Sequence, residues 1–98
     1  MRIPKQFCLF GHLIMVEFDQ DKCDDLDALG LADNDNNLIS LARKKDGERL
    51  PKEMIEYTFV HEMMHHLLWK VGENKLGNDE KFVSKLAGAL HQALTTAK

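Results

Sequence analysis

Ninety-eight residues, 44% hydrophobic and 30% charged, suffice for one small core and describe a single soluble domain near the lower end of what folds alone. A net charge of −3, with the acids concentrated between Asp19 and Asp35 and no basic stripe, argues against a nucleic-acid surface. No apolar run approaches the roughly 18 residues of a membrane span, and the first thirty residues lack the pattern of a secretion signal; a cytoplasmic location is expected, with Cys8 and Cys23 as reduced thiols.

From Gln6 to Asp19 the apolar Phe7, Leu9, Leu13, Met15 and Val16 flank a turn at Gly11-His12, which predicts a strand or short hairpin. Asp19 to Asp27 is acidic and turn-rich. Ala28 to Ala32 is a short apolar stretch leading into Asp33-Asn34-Asp35-Asn36-Asn37, whose side chains tolerate tight-turn backbone angles. Leu38-Ile39-Ser40-Leu41-Ala42 returns as a strand, and Arg43 to Arg49 forms a charged loop. These segments predict a small antiparallel sheet of about three strands.

Pro51 suits the first turn of a helix, and Glu53 favours its positive end. Val60, Met63, Met64, Leu67, Leu68 and Val71 recur at helical spacing, so the helix is expected to run to about Lys70 and stop at Gly72. After a polar loop from Glu73 to Gly77, Asn78 or Asp79 can cap a second helix carrying Phe82, Val83, Leu86, Leu90, Ala93 and Leu94 on one face. Strands first and helices second make the domain α+β, with two helices packed on one face of the sheet.

The first long helix contains His61-Glu62-Met63-Met64-His65. Residues at i and i+4 differ by about 40° around a helix and about 6 Å along it, so both imidazoles can reach one ion. Glu62 is rotated by about 100° from His61, off the ligand line but near a water held by the same metal, where it can act as general base. The motif borders the apolar face, half supported by packing and half open to a cleft.

A hydrolytic zinc usually takes three protein ligands, so two histidines need a partner. Glu80 is the candidate: it starts the second helix at the edge of its apolar face, and the fourteen residues between His65 and Glu80 allow the chain to reverse. A helix N-terminus also favours the ionised carboxylate that a metal needs. Asp79 is the alternative if the helix phase differs. His66 points about 100° from His65 on the same helix, and His91 lies about 16 Å along the second helix from Glu80, so neither is expected at the ion. His12 falls in the predicted β region, where it either approaches the cleft or, the favoured reading, merely occupies a turn.

With this pentapeptide followed by Glu80 on the next helix, the chain resembles the gluzincin type of zincin metallopeptidase. Ile3-Pro4-Lys5, Leu29-Gly30-Leu31-Ala32-Asp33, Leu38-Ile39-Ser40-Leu41, Thr58-Phe59-Val60-His61-Glu62 and Glu80-Lys81-Phe82-Val83 resemble the short metallopeptidases encoded by phages and prophages. The likeness covers nearly the whole chain, with the pentapeptide its specific part. It implies a Zn2+ cofactor, a peptide or protein substrate, and an edge strand beside the helix that takes up an extended peptide, either Leu38 to Ala42 or Ala28 to Ala32. The chain departs from the larger enzymes in carrying Ser84, rather than an aspartate, four residues after Glu80, and in offering only Tyr57 as a candidate to stabilise an oxyanion. The expected function is a zinc-dependent peptidase with His61, His65 and Glu80 as ligands and Glu62 as base. The alternative is a zinc-stabilised protein-binding module without catalysis.

Overall fold

The computed structural model describes residues Met1–Lys98. The chain runs β1 (Gln6–Leu9), β2 (His12–Phe18), α1 (Gln20–Asp25), β3 (Gly30–Asp33), β4 (Leu38–Leu41), β5 (Lys44–Lys45), β6 (Glu48–Arg49), α2 (Lys52–Lys70), α3 (Asn74–Gly77) and α4 (Glu80–Thr96). It is an α+β domain, as the order of patterns predicts. No helix is long and apolar enough to cross a membrane.

The sheet has four strands rather than three, in the order β1-β2-β4-β3, and it is mixed rather than antiparallel. β1 and β2 form a hairpin whose turn falls at Phe10-Gly11 (φ 50° and 81°), one residue earlier than Gly11-His12. Two successive positive φ angles match the right-handed twist of the flanking strands. The chain then crosses through α1 and β3, so that β4 lies parallel to β2 and antiparallel to β3. β4 is an interior strand, and Ile39, Ser40 and Leu41 are all buried, an unbroken pattern that fits cover on both faces. The acidic stretch after β2 folds into α1 because the Asp19 side chain caps it, accepting the Lys22 amide at 3.1 Å, while Cys23 is buried beneath. The Arg43–Arg49 loop closes as the β5–β6 ribbon.

Pro51 stands at the N-cap of α2, with the helix beginning at Lys52. At the other end, Gly72 takes φ +86°, Glu73 N–H donates to the Leu68 carbonyl at 2.8 Å, and Gly72 N–H donates to Trp69 at 3.0 Å. This pair of reversed bonds stops the helix and turns the chain toward α3. Ile14, Ile39 and Leu41 from the sheet, Phe59, Val60, Met64 and Leu68 from α2, and Val83 and Ala87 from α4 form one core. Val71, at the C-cap, is exposed, as are Phe82, Leu86 and Leu94 on α4.

Candidate metal centre

On α2 the residues Tyr57, His61, His65 and Trp69 recur every four positions and form one aromatic stripe along a cleft of about 520 Å³. Neighbouring rings touch in sequence, with centroids 6.0 Å apart for Tyr57 and His61, 4.9 Å for His61 and His65, and 5.2 Å for His65 and Trp69. The far wall is the start of α4, and the floor is the run from Leu29 to Ala32.

The two histidines and Glu80 converge. Glu80 Oε2 lies 3.0 Å from His61 Nε2, its Oε1 lies 2.9 Å from His65 Nε2, and the two Nε2 atoms are 3.2 Å apart. Asp79, the alternative ligand, instead caps α4 by accepting the Phe82 amide at 3.1 Å. His91 sits 3.3 Å from Glu56, away from the cleft, and His12 is exposed at the start of β2. His66 is fully buried, with Nε2 donating to the Leu38 carbonyl at 3.0 Å and Nδ1 without a partner. The 100° rotation that excludes it from the cleft drives it into the sheet.

A feature not read from the sequence orients His65. Its Nδ1–H donates to the Gly77 carbonyl at 2.6 Å, so a neutral ring carries its lone pair on Nε2. That lone pair faces a carboxylate oxygen and a second imidazole nitrogen. Three electron-pair donors at such spacing call for a shared proton or a cation between them. Ligand atoms around a tetrahedral zinc, at about 2.0–2.1 Å from the metal, stand about 3.3 Å from one another, close to the separations here. Burial also holds His61 below the ordinary histidine range, against the pull of Glu80, which favours the neutral ring a metal requires. The donor set therefore fits a zinc-like ion.

The clasp around His65 comes from α3. Trp69 stacks on the His65 ring with 25° between planes, and its Nε1–H donates to Asn78 Oδ1 at 3.1 Å. Gly77 leaves room for the indole: a Cβ there would lie 2.6 Å from Trp69 Cδ1 and 2.8 Å from Nε1. A backbone carbonyl thus orients the histidine as a carboxylate does elsewhere, and Ser84 is not needed for it. The sequence hints were a tryptophan one turn after His65 and a lone glycine before the Asn78-Asp79 cap.

Glu62 lies beside this cluster and is 7% exposed. Burial, helped by the charge of Glu80, raises its carboxyl to about 8, and no protein hydrogen bond offsets that. Gly30, the first residue of β3, makes its approach possible, since a Cβ there would fall 2.5 Å from Thr58 Cγ2 and 3.3 Å from Glu62 Oε2. β3 is an outer strand, bonded only to β4, and its residues line the cleft; Leu38–Leu41 is interior, paired on both sides, and has no free edge. Tyr57 also lines the cleft, with its hydroxyl donating to the Ser84 carbonyl at 3.4 Å.

Comparison of the chain with family models, with curated proteins and with solved structures finds no match.

Proposed function

We propose that the chain is a minimal zinc-dependent peptidase in which His61, His65 and Glu80 hold the ion and Glu62 is the general base. The reading rests on one observation above the rest: the Nε2 lone pair of His65, fixed by the Gly77 carbonyl, is aimed at two further ligand atoms within 3.2 Å. A zinc ion held there would supply Lewis acidity, polarising a peptide carbonyl and acidifying water. Glu80, with its side chain 69% exposed, keeps the solvent side of the cluster open for a substrate.

Burial raises the Glu62 carboxyl to about 8, and positive charge lodged beside it would favour the carboxylate. Its carboxylate then takes a proton from the attacking water and returns it to the leaving amine. β3 supplies the place for the substrate: its outward N–H and C=O groups can pair with an extended peptide laid along the cleft. Gly30 sets that peptide close to Glu62.

The test is Glu62→Gln assayed on a fluorogenic peptide library. The variant is expected to retain metal while turnover falls by orders of magnitude, about 10²–10⁴ for a lost general base. Undiminished turnover in the variant rejects the role of Glu62. A second reading, a zinc-held binding module without turnover, is favoured by one detail: the hydroxyl of Tyr57 is spent on Ser84 and is not offered to an oxyanion. Metal-dependent folding with no cleavage of any library peptide selects that reading.

A further inference from the structure

A second concavity, of about 380 Å³, shares no residue with the metal cleft. The β5–β6 ribbon builds it. Lys44 pairs with Arg49, and the Leu50 amide donates to the Arg43 carbonyl at 2.9 Å, so that Arg43 and Arg49 are brought together at the base of the ribbon. The Arg43 guanidinium lies 3.6 Å over the Phe18 ring, which leaves its edge N–H groups pointing away from the stack. Neither guanidinium makes a hydrogen bond or ion pair within the protein, although the chain as a whole is acidic. Lys52 adds a third cation at the same wall.

The floor is apolar, made by Phe18, Leu50 and Ile55. One acid lies there, Glu56, and it is already taken up: its oxygens sit 3.3 Å from the Met1 amine, 3.3 Å from His91 and 3.9 Å from Lys52. The residual field of the pocket is therefore positive, over a surface suited to hydrocarbon. Acids concentrated at Asp19–Asp35 would repel a long polyanion, whereas one or two carboxylates beside an apolar side chain match both halves of the pocket. Its volume suits a few side chains.

We infer that this pocket is a docking site for an acidic-hydrophobic peptide segment of a protein partner, with Arg43 and Arg49 gripping its carboxylates and Phe18, Leu50 and Ile55 receiving its apolar side chain. The site does not depend on the metal centre.

The experiment titrates acetyl-Leu-Glu-Leu-Asp-Leu-amide into the isotope-labelled full chain and follows the Arg43 and Arg49 Nε–H signals and the Leu50 amide by NMR. An isosteric peptide with Gln and Asn in place of the acids, and inorganic phosphate, are titrated alongside. The acidic peptide is expected to shift these signals saturably, at least about tenfold more tightly than its amide twin, and Arg43→Gln and Arg49→Gln should each weaken it about tenfold. Because Arg43 also covers Phe18, the exposed Arg49 is the cleaner variant, and unaltered spectra elsewhere confirm its fold. Equal binding of the two peptides, equal binding of phosphate, no saturable shift, or full affinity in Arg49→Gln would each overturn the proposal.

Discussion

Gly77→Ala is the sharpest probe of how the site is built. The new Cβ would stand 2.6 Å from Trp69 Cδ1, 2.8 Å from Nε1 and 3.3 Å from Leu68 Cβ, against ordinary carbon contacts of about 3.5–4.0 Å, so the indole must retreat by about 1 Å. Gly77 has no positive φ, and alanine carries no backbone penalty there; it gains about 0.5–1 kcal/mol of helix preference instead. Against that stand overpacking, about 1–3 kcal/mol, and the loss of the Trp69–Asn78 hydrogen bond, about 1 kcal/mol. The net destabilisation is about 1–3 kcal/mol, and at about 4–8 °C per kcal/mol for a domain this size the melting temperature should fall by at least about 4 °C. Moving the indole and the Gly77 carbonyl also frees the His65 ring, and disturbing such an orienting contact lowers metal affinity about 10–100-fold. Gly72→Ala is the control: it meets nothing within 4 Å but is strained by its φ of +86°, so it should lower stability and leave affinity for zinc alone. Thermal unfolding and competition against a chromophoric chelator read the two quantities separately. If Gly77→Ala melts early yet binds zinc as tightly as Gly72→Ala, the clasp is packing only and the reasoning about His65 is wrong.

Zinc added to the metal-free protein should raise its melting temperature and chelator should reverse the rise; at a hundredfold excess over the dissociation constant the gain is about 2.7 kcal/mol, and an unchanged temperature counts against the ligand set. Gly30→Ala should destabilise by about 1–3 kcal/mol through collision with Thr58 Cγ2, and adding Thr58→Ser, which keeps the hydroxyl bond to Met54 at 2.7 Å, should recover most of it; a double mutant no more stable than the single would show that the clash lies elsewhere. Glu56 is nearly buried, yet its bonds to His91 and the Met1 amine outweigh the effect of burial and hold its carboxyl below the ordinary value of 4.5. With the folded value depressed, its contribution is complete above about pH 4.5 and fades as pH falls through the folded value. Glu56→Gln should therefore melt lower at pH 7, by about 1–2 kcal/mol of stability, and the gap should close on acidification; a gap that widens in acid contradicts this.

Much of the candidate site was legible because helical periodicity is local. The pentapeptide His61–His65, the stop at Gly72 and the Asp79 cap each follow from a few neighbouring residues, and together they place Glu80 at a helix start facing back toward the histidines. What was not legible depends on contacts between distant segments. Nothing local to Leu38–Leu41 distinguishes a parallel interior strand from an edge strand, since the choice is made by the crossover through α1 and β3. The Gly77 carbonyl as the partner of His65 was hidden for a different reason: a main-chain group has no residue signature, and the segment Glu73–Gly77 looks like a polar loop until α3 winds it against Trp69. Phe59 was absent from the expected apolar face, yet it is core, edge-on to Phe7 at 5.8 Å across the first strand.

The position of Trp69 has a practical consequence. It is the only tryptophan in the chain, and its ring lies nearly parallel to that of His65. Intrinsic ultraviolet emission from this molecule therefore originates beside the ligand cluster, with no second indole to dilute it. A quenching ion such as cobalt or copper, lodged there in place of zinc, would dim that light in proportion to occupancy. Loading can be followed in the unlabelled native chain, without an attached dye.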